Sequence, residues 1–326
     1  MNNLIIKRGL TLLAAISLIA LSATTVVLAA NKHVAISQIV EHPALDAARQ
    51  GIEDELAENG YVVGKNLKWS YESAQGSPST AAQIAKKFAG DKPDLVIGIS
   101  TPSAQTLAAS ARGIPLIFSA VTDPLAAKLV DNLEKPGGMI TGTSDALPIE
   151  KHLDLIQELV PNLKKLGVMF NPGEANSVSS VNQLKSAAEK RGWEIVEGGA
   201  AKSSEVLAAA RSLVGKVDAI YVPTDNTVVS AFESVVRVGQ QAKLPVIAGD
   251  TSSVARGAAA AVGFNYYDVG RQTGRMAALV LNGEKPGNIP VETVQKTELY
   301  LNVGSAKKMG ISFTDNLLSR AAKVVE

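Results

Sequence analysis

Polar side chains follow the predicted strands of this chain, and their types suit recognition of a small polar or charged molecule. Hydroxyl, amide and carboxylate groups recur at these positions in both halves of the sequence. In open parallel sheets, ligands bind outside the carboxyl ends of the strands, so we expect these residues to contact a ligand. The candidates are Gln38, Ser100, Thr101, Gln105, Ser119 and Thr122 in the first half, and Asn171, Asn176, Thr224, Asp225, Asn226 and Asp250 in the second.

An amino acid is one ligand that such a set of groups could bind. Its ammonium group needs an acceptor, which Asp225 or Asp250 could supply through a charge-assisted hydrogen bond. Its carboxylate needs donors, which Ser100, Thr101 and the backbone amides of the following helix could supply, since a helix N-terminus favours an anion. The sequence leaves open which aspartate would meet the ammonium group.

Helix capping is the alternative role for the same residue types, because Ser, Thr, Asp and Asn are the preferred N-cap residues. For Thr101, Asn176 and Asn226, capping and ligand contact are equally consistent with the sequence. The convergence of such loops from both halves of the chain favours a binding site.

Catalysis has little support in the sequence. The chain has no cysteine and three histidines, which leaves few groups for thiol or histidine chemistry or for a metal site. We expect His42 to face solvent or to fix its loop, and His152 has no evident partner. The signatures GxGxxG, GxxxxGK[ST], HExxH and GxSxG are absent. We therefore predict a protein that is not an enzyme and that uses no cofactor and no metal.

Length and composition indicate a two-domain globular protein. The chain has 326 residues, of which 46% are hydrophobic and 19% are charged, and domains usually contain about 100–200 residues. The formal net charge of +1 gives no reason to expect nucleic acid as a partner.

The first thirty residues have the pattern of a secretory signal peptide. Lys7 and Arg8 precede an apolar run over 10–27, and the small residues of Leu28-Ala29-Ala30 follow it. A retained membrane anchor is the alternative, since an apolar run of about 18 residues can span a bilayer. Bacterial lipoproteins need a cysteine at the cleavage site, so we expect a free periplasmic protein without a lipid anchor.

The remaining sequence alternates short apolar runs with amphipathic stretches, a pattern typical of a parallel sheet flanked by helices. The predicted strands are 33–37, 67–71, 94–99, 115–118, 166–170, 193–197, 218–222, 245–248 and 298–303. The predicted helices include 79–89, 151–160, 205–214, 227–239, 268–281 and 314–325.

The two halves have the features of a diverged repeat. Residues 93–97 followed by Ser100-Thr101 parallel residues 217–221 followed by Thr224-Asp225. Two similar α/β lobes that face each other enclose a cleft, so the candidate residues of both halves are expected to line it.

Several stretches of the sequence match a known family when they are taken together: 42–45 (HPAL), 119–124 (SAVTDP), 135–142 (KPGGMITG), 167–174 (GVMFNPGE) and 306–310 (AKKMG). On these stretches the chain resembles the ABC transporter substrate-binding proteins of the tryptophan/tyrosine-type family over essentially all of its length after residue 30. The resemblance implies a type I periplasmic-binding-protein fold, an α/β fold with two Rossmann-like lobes, parallel sheets and a three-segment hinge. We expect the N-terminal lobe at 31–145 plus about 264–290, and the C-terminal lobe at 146–263 plus about 291–326.

The resemblance also implies a function and partners. It implies a monomer that binds a small molecule in the interlobe cleft, with aromatic amino acids favoured, and delivers it to a membrane permease driven by an ATPase. Tyr266 and Tyr267, or Phe170 and Tyr221, could stack on an aromatic ligand or could pack in the core. A binding module of a sensor or chemoreceptor shares the fold and remains the alternative, followed by an enzyme on the same scaffold.

Overall fold

The structure is a computed structural model that describes residues 31–294 and 296–326. The predicted signal peptide at 1–30 lies outside the described residues. Asn31–Glu326 forms one compact unit. In the described ranges, no helix is both long enough and apolar enough to cross a membrane.

Strands and helices alternate along most of the chain. The strands are β1 Lys32–Gln38, β2 Leu67–Ser73, β3 Leu95–Ile99, β4 Leu116–Ser119, β5 Ile140–Ser144, β6 Lys165–Phe170, β7 Glu194–Gly199, β8 Ala219–Val222, β9 Val246–Ala248, β10 Ala260–Gly263, β11 Glu292–Thr293, β12 Glu298–Asn302 and β13 Lys323–Val325. The α-helices are α1 Pro43–Glu58, α2 Pro78–Asp91, α3 Thr101–Ser110, α4 Ile149–Leu159, α5 Ala175–Glu189, α6 Val206–Leu213, α7 Asn226–Ser230, α8 Phe232–Ala242, α9 Ser252–Ala255, α10 Tyr266–Leu281, α11 Val303–Lys308 and α12 Asp315–Arg320. Short 3-10 helices cover Ser203–Glu205 and Pro286–Asn288.

The strands form two sheets, and each sheet is the centre of one lobe. The first sheet has the order β11-β5-β4-β3-β1-β2, and all its pairings are parallel. The second has the order β13-β12-β10-β9-β8-β6-β7, in which β10 and β12 pair antiparallel and the other pairs are parallel. The expected α/β fold with two Rossmann-like lobes is confirmed.

The chain passes between the two sheets three times. The passages follow β5, β10 and β11, because β11 pairs with β5 in the first sheet whereas β12 lies in the second. The third passage therefore comes after Thr293, a few residues beyond the position at about 290 that was expected for it. The lobe boundaries themselves remain a prediction.

Two of the expected helices differ from the structure. The helix expected at 227–239 is two helices, α7 and α8. The helix expected at 314–325 ends at Arg320, and Lys323–Val325 instead pairs with β12 as strand β13. The segment is extended because it pairs with the edge of the second sheet. The helical periodicity of the sequence does not show that this edge is available.

Helices α1 and α10 pack with their backbones in contact. A Cβ atom on Gly270 would lie 2.0 Å from the carbonyl oxygen of Ala48, and one on Gly51 would lie 2.2 Å from that of Tyr267. Only glycine permits this approach. The contact joins the middle of α1 to the first half of α10, and the N-terminal ends of these two helices carry His42 and Tyr266 at the cavity.

Candidate functional site

A small cavity lies between the lobes, where loops that follow the strands of both sheets meet. Its lining combines three aspartates, several neutral polar groups and an apolar surface. The lining residues are His42, Ala44, Leu45, Ser100, Ala120, Thr122, Asp145, Asn176, Thr224, Asp225, Asn226, Val229, Asp250 and Tyr266.

Most of the residues expected from the sequence lie together on this cavity. Both lobes contribute, as the repeat predicted. The lining residues among the candidates are Ser100, Thr122, Asn176, Thr224, Asp225, Asn226 and Asp250.

The other five candidates lie outside the cavity lining. The amide of Gln38 donates to the carbonyl of Val40 and to Asp46, both at 2.9 Å. Three more are held by hydrogen bonds within their own lobe: Gln105 donates to the carbonyl of Ala127, Ser119 bonds to Thr273, and Asn171 donates to Thr227. The fifth, Thr101, is buried outside the lining.

Asp225 is the N-cap of α7, and its carboxylate is occupied by donors of its own lobe. Oδ1 accepts from the amide of Val228 at 2.6 Å, while Oδ2 accepts from the amide of Asn171 and the hydroxyl of Ser177, also at 2.6 Å. Burial, followed by the nearby charge of Glu174, raises the pKa of Asp225 to about 7. This aspartate therefore caps α7 and also ties that helix to Asn171 and Ser177 of the same lobe.

Glu174 is a functional candidate that the sequence did not single out. Its buried carboxylate accepts from the amide of Thr227 at 3.1 Å, from the hydroxyl of Thr227 at 2.7 Å and from the side-chain amide of Asn226. Because the Asn226 amino group points at Glu174, its Oδ1 atom faces the other lobe. No local signal in the sequence connects residues so far apart.

Asp250 also has a capping role. Its carboxylate accepts from the backbone amide of Ser253 at 2.9 Å and from the hydroxyl of the same residue at 2.5 Å. Burial raises the pKa of Asp250. Both of its partner groups belong to α9, which the carboxylate holds against the cavity.

Asp145 is a third cavity aspartate, and the sequence analysis missed it. It follows β5 on the first passage between the lobes, and it accepts from the hydroxyl of Thr122 at 3.0 Å and from that of Tyr266 at 2.6 Å. Both partners also line the cavity. Burial raises the pKa of Asp145, and the two hydroxyl bonds oppose that increase. Strand β5, whose sequence is Ile-Thr-Gly-Thr-Ser, was not predicted, so the residue after it was not considered.

Three polar atoms on the cavity lack a hydrogen-bond partner among the described residues. They are Nδ1 of His42, Oδ1 of Asn176 and Oγ1 of Thr224, all of them buried. Burial and the charge of Arg256 lower the pKa of His42 to about 3, so its imidazole is neutral at pH 7. The Nδ1 atom of His42 is thus turned away from solvent, while the residue as a whole is half-buried. Buried polar atoms are normally satisfied, so these three indicate where a polar ligand would bind.

The apolar part of the lining comes mainly from small aliphatic side chains and one aromatic ring. Of the four aromatic residues considered from the sequence, Tyr266 lines the cavity. Tyr267 instead donates from its hydroxyl to Asp54 at 2.9 Å. Phe170 and Tyr221 pack in the core of the second lobe, where the Tyr221 hydroxyl bonds to Nδ1 of His152.

Ser100 and Asn226 join the lobes across the cavity. The hydroxyl of Ser100 donates to Oδ1 of Asn226 at 2.9 Å, and both residues are buried. Ser100 has φ 75° and ψ 157°, a region of backbone conformation that is populated almost entirely by glycine and costs about 1–3 kcal/mol for other residues. The strained backbone turns the hydroxyl towards the opposite lobe.

Within residues 31–294 and 296–326, no group of three or more His, Cys, Asp or Glu side chains could hold a metal ion.

Comparison with known proteins connects this cavity to a family of binding proteins. The sequence profile of the family described as ABC transporter substrate binding protein matches residues 33–325. A tyrosine-binding protein of Clostridioides difficile (strain R20291) is 46% identical over 279 residues, which cover 86% of this chain and 81% of that protein.

Two solved structures allow the arrangement of the lobes to be compared. The ABC domain of Streptococcus pneumonia in complex with L-Trp is 36% identical, with a TM-score of 0.87 over 91% of this chain and 100% of that chain. The ligand-free, open structure of a substrate-binding protein with adhesive properties from Clostridium difficile is 42% identical, with a TM-score of 0.68 over 90% of this chain and 99% of that chain. The overall arrangement is thus more similar to the L-Trp complex than to the open form, although the sequence identity is lower.

Proposed function

This chain belongs to the ABC transporter substrate-binding protein family, and we propose that it is the periplasmic receptor of an ABC importer that binds an aromatic amino acid between its lobes. The observation that carries the proposal is the interlobe cavity, whose lining joins buried carboxylates and unpartnered polar atoms to an apolar surface. The names of the tyrosine-binding and L-Trp-bound relatives support the same ligand class.

The ammonium group of the ligand is assigned to Asp145. A carboxylate has about four acceptor sites, and Asp225 already uses three of them for groups of its own lobe. The carboxylate of Asp250 accepts from the backbone amide and from the hydroxyl of Ser253 in the adjoining helix. Asp145 is bonded to Thr122 and to a tyrosine, both of which line the cavity, so an ammonium group in the cavity can join this cluster.

The carboxylate of the ligand is assigned to neutral donors, because the described lining contains no lysine and no arginine. The hydroxyl of Thr224 has no partner and can donate. The neutral imidazole of His42 can donate from Nδ1 in one of its two tautomers. The lining therefore suits a zwitterion, whose two charges cancel, better than a free organic acid.

The side chain of the ligand is assigned to the apolar part of the cavity. Ala44, Leu45, Ala120 and Val229 lie there together with the ring of Tyr266. An aromatic ring packs well against small aliphatic groups and against another ring at an offset or edge-on geometry. Among amino acids, this surface favours those with large flat side chains.

Closure of the two lobes is the proposed mechanism of binding and delivery. The ligand contacts both lobes only when they are closed, so it shifts the equilibrium between open and closed forms towards the closed form. A permease that docks on the closed form would then receive the loaded protein. The sequence pattern at 1–30 supports export, and the lack of cysteine supports a periplasmic protein without a lipid anchor.

A thermal-shift screen of the purified protein against amino acids, nucleosides and sugars tests the proposal. A ligand that binds only the folded state raises the melting temperature as its concentration exceeds Kd. We expect tyrosine, tryptophan or phenylalanine to give the largest shift. A shift with a sugar or nucleoside, and with none of the amino acids, would refute the proposed ligand class.

A further inference from the structure

The lobes also meet at the rim of the cleft, outside the cavity. Asp123 follows β4 in the first lobe, and Ser179 lies on α5 in the second. The hydroxyl of Ser179 donates to Oδ2 of Asp123 at 2.7 Å. The pair lies in an open groove between the lobes, and the residues that line this groove share no member with those that line the cavity.

Both partners of this bond are held in place by their own lobe. Oδ1 of Asp123 accepts from the amide of Ala126 at 2.9 Å, which fixes the carboxylate in a tight turn. The hydroxyl of Ser179 also accepts from the side-chain amide of Gln183, one turn further along α5, at 3.3 Å. Since both groups are already oriented, forming the bond on closure requires little additional ordering.

Among the side-chain hydrogen bonds of the described residues, two join the lobes across the cleft away from the three passages. The Ser100–Asn226 bond lies on the cavity and is part of the ligand site. The Asp123–Ser179 bond lies outside the cavity, so it can stabilise the closed form without contacting the ligand.

We propose that Asp123 and Ser179 form a latch that stabilises the closed form and thereby sets how long the ligand stays bound. The two are positioning residues, which act on the ligand through lobe closure. The inference rests on the proposed function only for the identity of the ligand. The effect of the latch on lobe closure is independent of which ligand binds.

The dissociation rate of the bound amino acid, measured by stopped-flow displacement, tests the latch. Ser179→Ala removes the hydrogen-bond donor. We expect the ligand to dissociate about fivefold faster, a size typical of losing a charge-assisted bond that is partly exposed to water, and the association rate to stay unchanged. Ser179→Thr keeps a hydroxyl and should restore the slow rate. Ser186→Ala is the matched control, because Ser186 is an exposed serine on the same helix whose hydroxyl donates to the carbonyl of Asn182 at 3.2 Å.

Cross-linking across the groove tests the latch without any ligand. The chain has no cysteine, so Ala126→Cys and Asn182→Cys introduce a single pair, one on each wall of the groove. The rate of oxidative cross-linking follows the population of the closed form, and Ser179→Ala should slow it about fivefold.

The outcomes separate the latch from the proposed function. Faster dissociation and slower cross-linking with Ser179→Ala, together with unchanged rates for Ser186→Ala, support the latch. If the wild-type protein binds no amino acid, the proposed ligand is wrong, and the cross-linking rate alone decides on the latch. A cross-linking rate that Ser179→Ala leaves unchanged overturns it.

Discussion

Replacing Asp145 by asparagine removes the carboxylate that we assign to the ammonium group of the ligand. Asp145 is 3% exposed, so its interaction with an ammonium group takes place in a site with little access to water. Loss of one partner from a buried, hydrogen-bonded charge pair costs about 2–5 kcal/mol of binding free energy. At 1.4 kcal/mol for each factor of ten, Kd should rise about 30- to 4,000-fold.

Isothermal titration calorimetry with L-tyrosine and with its analogue lacking the amino group, 3-(4-hydroxyphenyl)propanoate, measures this effect. The wild-type protein should prefer the amino acid strongly, and Asp145→Asn should lose most of that preference. Asp250→Asn is the matched control, because this cavity aspartate bonds to Ser253 of its own lobe. A threefold or smaller change in Kd for Asp145→Asn would refute the assignment, as would an equal loss in the control.

Three further predictions concern strain, pH and packing. Ser100→Gly and Ser100→Ala both remove the bond to Asn226, and both should weaken ligand binding about fivefold. Urea unfolding should show the glycine variant to be about 1 kcal/mol more stable than the alanine variant, because glycine tolerates φ 75°. Equal stability of the two variants would argue against backbone strain at this position. The pKa of Asp225 is about 7 in the folded chain and about 3.9 when unfolded. The folded state therefore holds more protons between these values, and the melting temperature should fall as pH rises from about 4 to 7. Asp225→Asn should flatten this pH dependence of the melting temperature. An unchanged slope would contradict the raised pKa of Asp225. Gly270→Ala places a Cβ 2.0 Å from the carbonyl of Ala48 and should lower the free energy of unfolding by about 3 kcal/mol, whereas unchanged stability would show that α1 and α10 can separate without cost.

The sequence predicted those features that depend on local periodicity. Runs of β-branched residues identified most strands, and the polar residues after them identified half of the cavity lining. Thr224 and Asn226 were found in this way, because in a parallel sheet the strand ends share one edge.

Features that depend on long-range contacts were not predicted. Strand β5 contains threonine and glycine in place of an apolar run, and its pairing with β4 and β11 decides its conformation. Asp145 follows that strand and was missed with it. His42 becomes part of the cavity because α1 begins beside the other lobe, and nothing in its own neighbourhood in the sequence shows this.

The sequence also could not separate capping residues from ligand contacts. Asp225 and Asp250 were the expected partners of the ammonium group, and each carboxylate instead accepts hydrogen bonds from its own lobe, one of them from a backbone amide in the first turn of a helix. The distinction rests on which donors surround each carboxylate, and this is known only once the chain is folded.

The central claim is that the interlobe cavity binds one aromatic amino acid, and a calorimetric titration of the purified protein with L-tyrosine and L-tryptophan tests it most directly. We predict saturable binding of at least one of them, with one site per chain, a Kd in the micromolar range or tighter, and a negative heat-capacity change from burial of the ring. Absence of measurable binding of both at millimolar concentration would contradict the account.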